Sequence, residues 1–346
     1  MDAFVNNSIE PNITNTLERN KMTQYSKDVL KQMYSVSPEV VKEKAAIIMN
    51  VLTHGIKPVE NPTAFVIVGQ PGAGKTGIMK ESCKQFDGNL IIYDIDEFRE
   101  YHPKINEIRK LYPEYYVDLT SKFASDVSLE VNKQLFGKKY NLGLHKTFKD
   151  EALIYDTLEP LRSLKYNLVL RIIATSDIES KMAALERSQK IRLTDKDGIS
   201  RWVYTPYMNK VMSGMVDMCE KTEKEKLVDV VQVIMKNCEP KDLACVYERA
   251  LNDKVPEHIY KSPEYLGKLE TGYKNVREAI DEARKIDAFK SLPTIEKRAK
   301  NAQEIADSYS EISGKSKEVE DDFIAEIKRL QKLYEEELQK TSAYGA

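Results

Sequence analysis

The sequence predicts a three-layer α/β fold, with a central, mostly parallel sheet and helical extensions at both ends. Three observations carry this expectation: short apolar runs alternate with amphipathic segments from Ala64 onward, a G-x-x-x-x-G-K-[ST] stretch follows the first run directly, and an Asp-x-Asp closes the second. Strands buried on both faces read as continuous apolar runs, and these do.

Taken in order, residues 1–60 are expected to be helix and connector. Val41, Ala45, Ile48 and Val51 recur at helical spacing within Val40–Leu52, and Pro58 and Pro62 end the pattern. Strands are predicted at Ala64–Val68, Leu90–Tyr93, Tyr140–Leu144, Asn167–Ala174 and Val228–Met235. Helices are predicted at Leu119–Phe136, closed by Gly137, at Glu151–Leu164 with Pro160 as a kink, and from Glu179 to Arg187. The polar stretch Lys190–Thr205, with Gly198 inside it, reads as a mobile loop. Beyond residue 240 the chain is rich in Lys and Glu and reads as mostly helical. Its last helix carries Val319, Phe323, Ile327, Leu330 and Tyr334 as a stripe expected to pack on the protein's own body. The expected division is a helical segment over 1–60, an α/β domain over 61–240 and a helical extension over 241–346.

Composition narrows the function classes. The chain of 346 residues is 41% hydrophobic, enough for one full-sized core. Its 53 basic and 55 acidic side chains nearly cancel, which argues against a nucleic-acid binder or an anionic-membrane binder. Cys83, Cys219, Cys238 and Cys245 lack the close spacing of a zinc or redox site and read as reduced thiols. No apolar run approaches the roughly 20 residues that cross a bilayer, and Met1-Asp2-Ala3 does not open a signal segment. A soluble, cytoplasmic protein with neither membrane nor nucleic-acid partners is the expectation.

Gly69-Gln70-Pro71-Gly72-Ala73-Gly74-Lys75-Thr76 lies between the strand Ala64–Val68 and a helical face made by Ile78, Met79, Cys83 and Phe86. Glycines there let successive backbone amides converge on phosphate, and the following helix points its positive end at the same place. Lys75 is expected to reach the β- and γ-phosphates of ATP, and the Thr76 hydroxyl to bind Mg2+. This places the fold in the P-loop NTPase/kinase type. Asp94 and Asp96, at the end of the second strand, should open onto the same cleft, because ligands bind beyond the C-terminal ends of parallel strands. Asp96 is the candidate base for a hydroxyl proton and Asp94 a candidate metal ligand, while capping of the next helix by one of them stays open. Arg187, Arg192 and Arg201, in or beside the polar loop, are candidate phosphate clamps.

These residues resemble the zeta toxin family. The resemblance rests on Glu60-Asn61-Pro62-Thr63-Ala64-Phe65 leading into the glycine loop, then Asp94-Ile95-Asp96-Glu97-Phe98 and His102-Pro103, and it covers roughly residues 40–240. It implies an ATP-dependent kinase of UDP-N-acetylglucosamine, a small-molecule substrate, that is restrained by an antitoxin protein. It also implies Lys75 and Thr76 in nucleotide binding, Asp96 as the catalytic base, and Arg187 and Arg201 as phosphate-contacting arginines. One segment departs from the pattern. After the third strand the family typically reads Glu-Gly-Thr, whereas this chain has His145-Lys146-Thr147-Phe148-Lys149. Replacing a carboxylate by His and Lys is expected to tilt the pocket toward anionic ligands, with His145, Thr147 and Lys149 as substrate contacts. A kinase of another phosphate-bearing metabolite, such as a dinucleotide, and an inactive nucleotide-binding interaction protein are the alternatives.

Overall fold

The structure is a computed structural model. It describes residues 25–112, 115–194, 205–238, 241–252, 255–256, 267–268 and 272–288, together with 297, 300, 332, 335, 336 and 339. The expected stripe from Val319 to Tyr334 lies outside the described residues.

Two helices, α1 (Lys27–Met33) and α2 (Pro38–Thr53), precede β1 (Thr63–Val68) and α3 (Lys75–Gln85). Next come β2 (Ile91–Tyr93), a 3-10 helix (Ile95–Tyr101), α4 (Ile105–Leu111), α5 (Tyr116–Phe136) and β3 (Leu142–Lys146). The chain continues through α6 (Glu151–Ser163), β4 (Asn167–Ile173), α7 (Asp177–Thr194), α8 (Thr205–Lys224), β5 (Val230–Cys238), β6 (Lys241–Ala250) and β7 (Gly267–Lys268). A last described helix, α9, spans 276–288.

The sheet has seven strands in the order β2-β3-β1-β4-β5-β6-β7. The first five are parallel to their neighbours, and β6 runs antiparallel to β5. Every residue of β1 is buried. Its side chains alternate: Ala64, Val66 and Val68 join the large core under α2, α5, α6, α8 and α9, while Phe65 and Ile67 join the smaller core under α3. This is the predicted three-layer arrangement, with β1 central and β3 and β4 at its sides.

Several local expectations shift. In α2, Val51 is 60% exposed and Met49 takes the inward position. The predicted loop from Lys190 begins as helix, because α7 runs on to Thr194 through a segment of good helix formers. Lys241–Ala250, which its charges assign to a helical stretch, forms β6: Ala244, Cys245, Val246 and Tyr247 are all buried. Among the described residues no helix is long and apolar enough to cross a membrane.

The N-terminal helices buttress the turn after β2. Leu30 and Tyr34 pack with Ile108, Tyr112, Tyr116 and Leu119. His102 locks the junction. Lys104 N donates to its Nδ1 (3.1 Å), so Nε2 carries the proton and donates to the Tyr34 carbonyl (3.1 Å). Burial holds this imidazole below its ordinary pKa of 6.5, against an upward pull from that carbonyl. A lowered histidine contributes stability above the unfolded value and loses it on acidification, as the unfolded chain takes up the proton first. The urea midpoint should therefore fall between pH 7 and pH 5, and fall less steeply in His102→Gln. Equal slopes for the two proteins would disprove the assignment.

Candidate active site

β1 ends at Val68, and residues 69–74 turn into α3. Gly72 (φ 80°) and Gly74 (φ 90°) occupy the left-handed region, where a side chain costs roughly 1–2 kcal/mol. Gly72 has a second reason to be glycine. A Cβ there would stand 2.0 Å from the Ser180 carbonyl oxygen of α7. Buried Gln70 spans the same junction, its Nε2 donating to the Thr175 carbonyl (2.7 Å) and to Ser180 Oγ (3.2 Å). Thr175 Oγ1 donates in return to the Ala73 carbonyl (3.1 Å). Pro71 is half-buried at the start of the turn, and Ala73 packs into the smaller core.

Lys75 opens α3 and curls back, its Nζ donating to the Gly69 (2.6 Å) and Gln70 (3.0 Å) carbonyls. Burial brings its pKa down from 10.5 to about 8, Arg187 pushes the same way, and Asp94 and Asp96 oppose. An anion beside this ammonium would reverse the loss, so loop and lysine together fit a polyphosphate. Thr76 is exposed in the first turn of α3. Lys236 of β5 lies across the loop, with its Nζ 3.1 Å from where a Cβ on Gly74 would be.

The cap left open between Asp94 and Asp96 is Asp94. β2 has already ended, and Asp94 caps the 3-10 helix, its Oδ1 accepting from Asp96 N (3.0 Å). Three residues per turn then stacks Arg99 over Asp96. Arg99 Nε (3.0 Å) and NH2 (2.9 Å) both meet Asp96 Oδ1. NH1 donates to the Val117 carbonyl (3.1 Å), Thr120 Oγ1 (3.0 Å) and Ser121 Oγ (3.0 Å) of α5. The guanidinium is thus a bracket from α5 to a carboxylate that is 44% exposed and open to an incoming group. Sequence reasoning missed Arg99, and its signal was the three-residue step within Asp96-Glu97-Phe98-Arg99.

His145, next to last in β3, lies on the face of Gly143, whose missing Cβ makes room for Met79 of α3. Burial and Lys75 lower its pKa from 6.5, Asp94 opposes, and its buried Nε2 has no hydrogen-bond partner in the structure. Lys146 alternates to the other face, where burial lowers its pKa and Asp156 of α6 pulls it up. His145 and Lys146 thus lie on opposite faces of the sheet, and His145 is the one that shares the neighbourhood of Lys75 and Asp94. Thr147 is half-buried, and Phe148, fully buried at φ 44°, turns the chain sharply. Lys149 Nζ lies 5.2 Å from the centre of the Tyr207 ring on α8.

Lys75, Asp94, Asp96, His145 and Arg187 share one electrostatic neighbourhood. Arg187 stands exposed within helix α7, in place of the loop border expected for it. Arg201 lies outside the described residues. Among the described residues no group of three or more His, Cys, Asp or Glu could hold a metal. A divalent cation at Thr76 and Asp94 would take its other ligands from phosphate oxygens and water, as Mg2+ commonly does.

Comparison with known proteins follows the geometry. The family model described as Zeta toxin matches residues 50–252. Toxin PezT of Streptococcus pneumoniae serotype 4 (strain ATCC BAA-334 / TIGR4) is 27% identical over 237 residues, covering 66% of this chain and 91% of that protein. Toxin zeta of Enterococcus hirae is 31% identical over 144 residues, covering 42% of this chain and half of its own length (50%). A solved structure from the PezAT chromosomal toxin-antitoxin system of S. pneumoniae superposes with a TM-score of 0.60 at 23% identity, over 78% of this chain and 98% of that one.

Gly72→Ala combines a clash with a left-handed φ and should cost about 2–4 kcal/mol. Gly88→Ala, at φ 81° with nothing within 4 Å of the added Cβ, should cost only about 1–2 kcal/mol. Urea melts compare the two, and equal losses would mean that the Ser180 contact does not limit the loop.

Proposed function

Because the chain belongs to the zeta toxin family, we propose that it is an ATP- and Mg2+-dependent kinase that phosphorylates a hydroxyl of a small molecule. The acceptor we propose is UDP-N-acetylglucosamine or a related sugar nucleotide, and the biological role that of a zeta-type toxin with an antitoxin protein as partner. The observation that carries the chemistry is the convergence of a phosphate-binding loop, its buried lysine and a carboxylate braced by Arg99.

When bound, Mg-ATP supplies the phosphoryl group. The loop's backbone amides, of which Pro71 has none, and the Lys75 ammonium would hold the phosphates, while Thr76 and Asp94 would hold the metal. Asp96 takes the proton of the acceptor hydroxyl as the new O–P bond forms, and the β–γ bond breaks with ADP leaving. Arg99 keeps the carboxylate aimed, and Arg187 and Arg201 clamp the transferring group. His145, Thr147 and Lys149 border the acceptor.

A dinucleotide acceptor drew its case from Lys146 and Lys149. With Lys146 beside Asp156 and Lys149 over Tyr207, that case weakens. The inactive interaction protein is disfavoured by the bracket. A largely buried arginine spent on orienting an open carboxylate serves a reaction and adds little to a binding module.

Incubation with Mg-ATP and a panel of sugar nucleotides and dinucleotides, read by mass, should give one phosphorylated acceptor. Lys75→Ala and Asp96→Ala should abolish it. Arg99→Lys should lower kcat at least about tenfold with KM for ATP little changed, since one ammonium cannot hold Asp96 and the α5 acceptors together. Full activity in the two alanine variants would refute the site.

Lys75 also sets a pH signature. Its unliganded pKa near 8 means that ATP binding at that pH takes up protons, and that affinity declines as pH rises from about 8. Calorimetry in buffers of different ionisation enthalpy measures the uptake. Lys75→Met should lose it, and an unchanged proton count would sink the assignment.

A further inference from the structure

We propose that Asp287 is a positioning residue for the nucleotide site, so that helix α9, beyond the residues the family model matches, belongs to the catalytic unit. This rests on the kinase reading above.

Asp287 is fully buried, and its Oδ2 accepts from Ser176 N (2.8 Å) across 111 residues of sequence. Ser176 is the last residue before α7. Its neighbour Thr175 touches the phosphate loop twice: its carbonyl takes the Gln70 amide, and its hydroxyl holds the Ala73 carbonyl. Ser180, one turn into α7, touches the loop twice more, through its Oγ to Gln70 and through the backbone oxygen that excludes a Cβ at Gly72. Asp287 therefore grips the outer side of a turn whose inner side shapes the loop. The same helix α7 carries Arg187.

Docking of α9 alone would not call for a carboxylate. Val276, Ala279, Ile280 and Ala283 already bury it in the large core, and a buried charge opposes folding unless it is well bonded. Among the described residues Asp287 Oδ1 has no hydrogen-bond partner, and the carboxylate is held through the Ser176 amide. Arg284, one turn earlier, lies near Asp177 at the start of α7. Asp287 and Arg284 of α9 thus meet the turn between β4 and α7, where an anchored amide keeps the loop in its phosphate-binding shape.

ATP affinity measured by calorimetry tests the inference without any acceptor. Asp287→Ala should weaken ATP binding about tenfold or more, the range for losing a hydrogen bond to a charged group. Asp287→Asn, which keeps an acceptor oxygen, should stay within about threefold of wild type. Lys285→Ala, on the exposed side of the same helix, should bind as wild type does. Thr175→Val, which removes the hydroxyl held on Ala73 from the other side of the turn, should repeat the loss, and it serves if Asp287→Ala fails to fold. Amide exchange over 69–76 should quicken in both weakened variants. A purely structural Asp287 would lower the melting temperature and leave ATP affinity and loop exchange alone, and that result overturns the inference. Failure of the wild-type protein to bind ATP would overturn the kinase reading itself.

Discussion

The site depends on one close approach, that of the phosphate loop to the turn and helix that follow β4. At Gly72 the backbones meet at a distance only glycine allows, and Gln70, Ala73, Thr175 and Ser180 tie the two segments by side-chain hydrogen bonds. β1 and β4 are neighbours in register, Val68 opposite Ile172, so the chains emerge from the sheet side by side and must turn in different directions. A phosphate loop works through amides that are already aimed, because aiming them on binding would consume the affinity they provide. The junction supplies that rigidity. Lys75, held on the Gly69 and Gln70 carbonyls, is lowered to about pKa 8 by burial and by Arg187, so an anion beside it would be favoured.

The other half of the site hangs from different supports. Asp94 and Asp96 stand at the start of a short 3-10 helix, a weak element by itself. It is held from one side by Arg99 on α5 and from the other by His102 on the carbonyl of Tyr34. Tyr93 stacks on Phe98 with ring centres 5.5 Å apart, which closes the turn over the large core. The turn that carries Asp94 and Asp96 is related to the phosphate loop through the sheet, β2 to β3 to β1.

What could be read from the sequence follows from how locally each feature is encoded. The phosphate loop, its strand and its helix are specified within one continuous stretch, Ala64 to Phe86, and the order of apolar runs implied the parallel sheet. Arg99 was hidden because its pairing with Asp96 requires a 3-10 turn, and composition does not announce one. β6 was hidden because Lys241, Asp242, Glu248 and Arg249 give it the charge of a surface helix, while its buried centre is only four residues long. Asp287 was hidden by distance, since its partner lies 111 residues away. In the altered segment after β3, strand alternation sends His145 and Lys146 to opposite faces, so two changes that look additive in sequence act in different places.

Polar groups in the smaller core obey the same logic. Arg171 is completely buried beneath α3, with its guanidinium 3.9 Å from the Phe65 ring centre and bonded to Gln232 of β5 and Gln85 of α3. An aliphatic residue of similar volume would pack there at lower desolvation cost. It would not set the rotation of α3 about its axis, because apolar contacts with Ile78 and Met79 tolerate sliding, whereas a planar guanidinium with directional bonds does not. The direction in which Lys75 leaves the first turn of α3 is set by that rotation. A core that spends a buried charge on the orientation of one helix makes sense when that helix begins at the site of reaction.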